Sequence, residues 1–194
     1  ITEPYRAEGL QKVLYQCPHC GTEFRMGTKG AEIFCSHCGK RWFLQENGQL
    51  RATQGETEFP HIPDWFEWER AQVKEQILEG TYRFEDTLDV YSFPRCWRFI
   101  PLGKATVRHD FEKGFTIDGH YRGKDYHIHR PPKGMNSLHV EYDFHRFLKK
   151  NCFDISTEND SFYCYPTNPD IITKLAFATE EIYKLHCPGK VHSA

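Results

Sequence analysis

The sequence predicts a mainly β protein with some α structure. It comprises a small N-terminal module built on two cysteine pairs, a connecting amphipathic helix, and a seven-stranded antiparallel sandwich or barrel finished by a C-terminal helix. Three observations carry this reading. Cys17-Pro-His-Cys20 and Cys35-Ser-His-Cys38 stand a short spacer apart, each followed at once by glycine. Residues 64–79 carry a helical apolar stripe between Pro63 and Gly80. From Tyr82 to Pro166 the pattern becomes alternation, with turn signals roughly every eight to twelve residues, and a second helical stripe begins after Asn168-Pro169.

Four thiols at this local spacing suit one tetrahedral metal ion. The two-residue gap in each pair folds into a turn that aims both sulfurs at one point, and Gly21 and Gly39 let the chain leave with positive φ. Cys17, Cys20, Cys35 and Cys38 are therefore the candidate ligands of a single structural Zn2+. Because four sulfurs fill its coordination sphere, no position is left for a catalytic water. His19 and His37 sit inside the knuckles as possible competitors, but the sulfurs already suffice. Cys96, Cys152, Cys164 and Cys187 are scattered and no signal segment precedes them, which argues against paired disulfides and suits a reducing cytoplasm.

In chain order, Leu10 to Gln16 reads as a strand leading into the first knuckle. Glu23 to Met26 and Ala31 to Phe34 form a hairpin with Gly27 and Gly30 bracketing its turn, and Arg41 to Gln45 leads out of the second knuckle. Asn47-Gly48 signals a turn, with Gln49 to Ala52 returning. The helix over 64–79 places Trp65, Phe66, Val73, Ile77 and Leu78 on its apolar side and Glu67, Glu69, Lys74 and Glu75 on the other. Its polar face is acidic, which favours packing between the two modules over docking on a membrane. Strands follow near 83–93, 104–110, 114–121, 124–130, 137–144, 152–157 and 161–166. Asn168 caps the last helix, with Pro169 as its first residue and Ile172, Leu175, Ala176, Thr179, Ile182 and Tyr183 as its buried stripe. The tail from Cys187 is expected to be loose. The domain boundaries predicted are 10–53, 54–80 and 81–187.

A hydrophobic content of 39% with 15% aromatics excludes a disordered chain. The formal net charge is −2, and residues 1–53 carry seven basic and five acidic groups, so no segment offers the basic field that nucleic-acid affinity draws on. No apolar run approaches the roughly 20 residues that span a bilayer. The chain opens on Ile1 without a methionine, as expected of a segment of something longer.

No catalytic residue emerges. The hairpin around Arg122-Gly123 pairs His120 with Asp125 and Asp118 with His127, and is read as a solvated sheet face. His120 and Asp125 also match a His-x4-Asp acyltransferase pattern, but they straddle a turn. No phosphate loop, nucleophile elbow or His-Glu-x-x-His motif is present. Cys152 and Cys164 read as core hydrophobes. A binding surface has more support: Arg95, Trp97, Arg98, Lys104 and Arg108 interleave charge with aromatic area around the first β connection and are the candidate ligand-binding residues for a lipid head group or a protein.

Residues 10–53, with their paired knuckles, resemble the zinc ribbon family. The order of seven antiparallel strands and a final helix over 82–186 resembles the pleckstrin homology-like superfold, in which the helix plugs one corner of a bent sheet. A third resemblance covers the whole chain. The ribbon, the Phe59-Pro-His-Ile-Pro-Asp-Trp-Phe-Glu-Trp-Glu-Arg70 helix start, the Phe99 to Lys104 turn and the Leu175 to Tyr183 helix are similar to the region after the catalytic domain in bacterial 1-acylglycerol-3-phosphate acyltransferase-like proteins. That resemblance implies a non-catalytic, cytoplasmic accessory module, held at the membrane surface through its parent enzyme. The alternatives are a zinc-ribbon nucleic-acid binder, served by Lys40, Arg41 and Trp42, and a protein–protein interaction module with Trp65, Trp68 and Trp97 as hot spots. Oligomeric state is not legible in the sequence.

Overall fold

The computed structural model of the protein describes residues 1–144 and 150–189. The chain divides into two compact units, Ile1–Gln72 and Val73–Ala194. Each has its own antiparallel sheet and apolar core. Among the described residues no helix is long and apolar enough to cross a membrane.

The first unit contains a four-stranded sheet of β1 (Met26–Lys29), β2 (Glu32–Cys35), β3 (Arg41–Leu44) and β4 (Leu50–Ala52), paired in that order. A β1–β2 hairpin forms, but its first strand is Met26–Lys29 instead of Glu23 to Met26, and its turn is Gly30-Ala31 with Gly30 at φ 61°. Gly27 lies inside β1 for a packing reason: a Cβ there would stand 2.8 Å from the Phe34 ring. Leu10 to Gln16 does not form the predicted strand. Gly9, at φ 96°, leads into a 3-10 turn over Leu10–Lys12, and the consecutive residues Leu14 and Tyr15 are both fully buried, whereas a strand alternates its faces. Gln16 pairs only through an isolated bridge to Glu23.

Helix α1 (Ile62–Leu78) takes Pro63 in its first turn, where the missing N–H costs nothing, and ends before Gly80 at φ 72°. Trp65, Glu69, Val73 and Ile77 recur every fourth residue and are all buried. Two expectations are corrected. Leu78 is 64% exposed, and Glu69, assigned to the polar side, is fully buried. Within the first unit Trp65 joins Leu14, Met26, Ile33, Trp42 and Leu50 in one core, its ring centroid 5.0 Å from that of Trp42.

The second unit begins its sheet with β5 (Phe84–Ser92), β6 (Ile100–Asp110), β7 (Gly114–Tyr121) and β8 (Lys124–Arg130). It continues with β9 (His139–Phe144), β10 (Lys150–Ser156) and β11 (Ser161–Tyr165) before helix α2 (Ile172–His186). The spatial order is β8-β7-β6-β5-β11-β10-β9, so two meanders join where the first strand meets the last and the sheet stays open at β8 and β9. Strand β6 starts at Ile100 instead of Lys104 because a bulge at Val90/Tyr91, with Gly103 at φ 86°, carries the pairing past the proline-bounded loop. The β7–β8 register matches expectation: Tyr121 faces Lys124, His120 faces Asp125, and Asp118 faces His127.

The inner face carries Leu88, Val90, Val107, Phe115, Ile117, Phe153, Ile155 and Cys164, joined by Ile172 and Leu175 of α2. Asn168 caps as predicted, its Oδ1 accepting from the Asp170 N–H at 3.1 Å, but Pro169–Ile171 is a 3-10 turn and the α-helix begins at Ile172. Of the predicted stripe Ile172, Leu175, Thr179 and Ile182 are buried and Ala176 and Tyr183 half-buried, while Thr173, Phe177, Ala178 and Glu181 are buried besides. Of the predicted loose tail, residues 190–194 lie outside the described ones.

Candidate metal centre

The two knuckles repeat one set of backbone hydrogen bonds. Gly21 N–H donates to Cys17 O at 2.8 Å and Gly39 N–H to Cys35 O at 2.9 Å, closing each turn. Cys17 N–H then donates to Thr22 O at 3.0 Å, and Cys35 N–H to Lys40 O at 2.9 Å. Gly21 and Gly39 have φ of 74° and 80°, the left-handed exit that the glycines predict.

As a result the sulfurs of Cys17, Cys20, Cys35 and Cys38 all lie within 4.8 Å of one another. Cys17 Sγ stands 3.7 Å from Cys38 Sγ, and Cys20 Sγ 3.9 Å from Cys35 Sγ. A tetrahedron of metal–sulfur bonds of about 2.3 Å has edges of about 3.8 Å, so the arrangement suits one metal ion. The first cysteine of each pair is buried and the second exposed. All four thiols are free. Neither His19 nor His37 joins the cluster.

The two exposed cysteines differ: desolvation raises the Cys38 thiol above its ordinary value, whereas Cys20 is lowered. Desolvation pushes the Cys17 thiol well up, against backbone hydrogen bonds from Cys20 and His19. At Cys20 desolvation also raises, but bonds to the Thr22 side chain and backbone outweigh it and hold the thiol down to about 6. A metal ion needs thiolates, and Cys20 is the sulfur that offers one most readily.

Glu58 and Glu69 organise the rim and the floor, and sequence reasoning singled out neither. Glu58 accepts the Trp42 indole N–H at 2.9 Å and stands 3.0 Å from His19 Nδ1 and 3.4 Å from Lys40 Nζ. Desolvation opposes its ionisation, but these partners and its own backbone N–H lower its pKa below the ordinary carboxylate value. Nothing in the local pattern marks Glu58. Glu69 did carry a signal, the four-residue spacing with Trp65 and Val73. Its Oε1 accepts the Gln16 N–H at 2.7 Å, one residue before the first ligand.

The five residues proposed for ligand binding are not gathered into one site. Arg95 and Arg98 are exposed in the loop between β5 and β6, and Trp97 is 87% exposed there. Lys104 and Arg108 lie on the solvent face of β6, where Lys104 stands 3.3 Å from Asp89, and Arg108 stands 2.9 Å from Glu85 and 3.1 Å from Asp118. Phe99 instead stacks on Phe93 at 4.4 Å and packs against Tyr163 and Phe144, which anchors the loop. His120 and Asp125 are hydrogen-bonded at 2.8 Å across the turn, both exposed. Cys152 and Cys164 are fully buried.

Comparison of the chain with protein-family models, with curated proteins and with solved structures finds no match.

Proposed function

We propose that this chain is a non-catalytic binding or scaffolding module whose N-terminal lobe is held by one structural zinc ion on Cys17, Cys20, Cys35 and Cys38. The observation that carries the reading is the closed set of four sulfurs within 4.8 Å, which favours zinc by its donor chemistry and offers no open coordination position. The boundaries at residues 53 and 80 and the pleckstrin homology-like reading of the β domain belong to the same proposal. The latter is supported by the pairing of the first strand with the last and by the apolar seat of α2 on the sheet. Attachment to a phospholipid-synthesis acyltransferase at a membrane surface is the finer form of the reading, supported by the sequence resemblance of the ribbon, helix starts and Phe99 to Lys104 turn.

The test combines metal analysis with an acyl-transfer assay from acyl-CoA to lysophosphatidate. One zinc per chain and no turnover are expected. Metal-free purified protein, or turnover that depends on His120, would overturn the proposal.

A protein-contact role is the second reading, favoured by the exposed Trp97 between two exposed arginines. The nucleic-acid reading has less support. Lys40 is engaged by Glu58 and by the Glu56 carbonyl, and Arg41 by Glu32, so the two cations named for that role are both paired within the chain.

A further inference from the structure

Among the described residues the second unit exposes two large apolar side chains, Leu78 and Trp97. Single exposed apolar residues are ordinary; what sets these two apart is the charge around them. Leu78 ends α1, and α1 carries no basic residue in its last turn, although the carbonyl end of a helix attracts cations. Glu75 and Glu79 stand there instead, both exposed and neither in an ion pair among the described residues. The nearby cations are engaged elsewhere: Lys74 Nζ lies 4.0 Å from Glu181, and the Arg83 guanidinium 3.9 Å from Glu85.

Trp97 has the opposite setting. It is 87% exposed between Arg95 and Arg98, which are exposed as well and without an ion pair among the described residues. From Phe93 to Lys104 the chain carries no acidic residue. Glu158 and Asp160 line the groove beside Arg95, but Asp160 is saturated by Ser92 Oγ and by the N–H groups of Phe93 and Ser161. The loop is pre-shaped: Phe99 stacks on Phe93 at 4.4 Å and meets Tyr163 edge-on at 5.0 Å. Arg95 is held at φ 48°, in the left-handed region, a strain that persists only where the surrounding structure imposes it. Strand β5 runs from near the helix end to this loop and is paired on both sides, by β6 and β11. Roughly 30 Å of extended strand therefore keeps the loop from the helix end of its own chain.

We propose that these two patches meet between copies of the chain. The loop of one copy lays the Trp97 indole on Leu78 of a second, with Arg95 and Arg98 against Glu75 and Glu79. The patches match in apolar character and oppose in charge, and guanidinium–carboxylate pairs are the strong form of such contact. Because the patches lie at opposite ends of β5, two copies set antiparallel about a two-fold axis make both contacts at once and close the assembly. The apolar area is small, so the dimer is weak, with a dissociation constant on the order of 100 µM. It gives the protein-contact reading of Trp97 its partner, and rests on that reading.

The test is sedimentation equilibrium of the zinc-loaded chain from micromolar to millimolar concentration, at low and at high salt. A monomer–dimer equilibrium is expected, weakened severalfold by salt and about tenfold or more by Trp97→Ala. The double variants Arg95→Glu with Arg98→Glu, and Glu75→Arg with Glu79→Arg, are each monomeric alone. Mixed, they pair, because every contact between them then joins opposite charges. All five side chains are exposed, so the variants keep the parent's zinc content and far-ultraviolet spectrum. The proposal falls if the parent stays monomeric at millimolar concentration in low salt, if it grows into an open series of larger species, if Trp97→Ala dimerises as well as the parent, or if the mixed variants stay apart. A monomeric parent leaves the protein-contact reading to a different partner. A monomer that binds anionic vesicles through Trp97 overturns that reading too.

Discussion

The carboxyl Oε1 of Glu69, on α1, accepts the backbone N–H of Gln16 across 2.7 Å, and the neighbouring Trp65 indole donates to the Gln16 carbonyl at 2.9 Å. Two side chains one helical turn apart thus hold both backbone groups of the residue that enters the first knuckle. The knuckle is anchored from beneath by α1 as well as by its sulfurs.

Glu69 makes the first unit sensitive to alkali. Desolvation raises its pKa to about 9, with Gln16 and Tyr15 backbone bonds opposing and Glu23 adding to the rise. Between about 4.5 and 9 the folded chain keeps a proton that the unfolded chain has lost, so this term weakens stability as pH rises through that window. Glu69→Gln retains an acceptor for Gln16 and cannot ionise. Thermal unfolding from pH 6 to 9 should show a flatter profile for the variant, by on the order of 1 kcal/mol per pH unit; parallel profiles would contradict this.

His109 gives the second unit the opposite dependence. Burial lowers its pKa to about 3; its ring stacks 3.9 Å from Phe115, and Nδ1 is hydrogen-bonded to the Tyr82 hydroxyl at 2.8 Å. The unfolded chain takes a proton near pH 6.5 and the folded chain does not, so this stability is present above about 6.5 and is lost as pH falls towards 3. His109→Gln should be less stable at pH 7 but less acid-sensitive between pH 6 and 4, measured by urea unfolding.

Metal removal should unfold the first unit and leave the second. The core of the first unit is small, and metal binding contributes roughly 10 kcal/mol or more to folding of small modules held by a structural zinc. A mercurial titration should release one metal ion as four thiols react, with loss of the Trp42 and Trp65 near-ultraviolet signal. Cys17→Ser and Cys35→Ser, at the buried positions, should lower metal affinity more than Cys20→Ser and Cys38→Ser. Equal effects at all four would contradict the role assigned to burial.

Gly114 is the backbone position least able to change. It has φ of 70°, and a Cβ there would stand 2.4 Å from the Arg130 carbonyl oxygen and 2.9 Å from Pro132 N. Gly114→Ala should cost roughly 2–4 kcal/mol. Gly123→Ala, at φ 79° with no neighbouring atom within 4 Å, carries only the conformational strain, about 1 kcal/mol. Denaturant midpoints of the two variants test the difference.

Local patterns decided the metal cluster, because each knuckle is a self-contained turn whose glycine and hydrogen bonds span only a few residues. They also decided the β7–β8 register, since two residues at Arg122-Gly123 set the pairing of everything beyond. Tertiary structure alone decided what became of Glu69, Glu58 and Leu78: whether an acid on a helix is solvated or enclosed depends on which chain lies opposite, and no periodicity records that. It likewise decided that Leu10 to Gln16 leaves the sheet, because Leu14 and Tyr15 both find apolar cover. The same holds for the joining of β5 to β11, a contact between residues some seventy positions apart, where burial of a shared core outweighs anything either strand specifies alone.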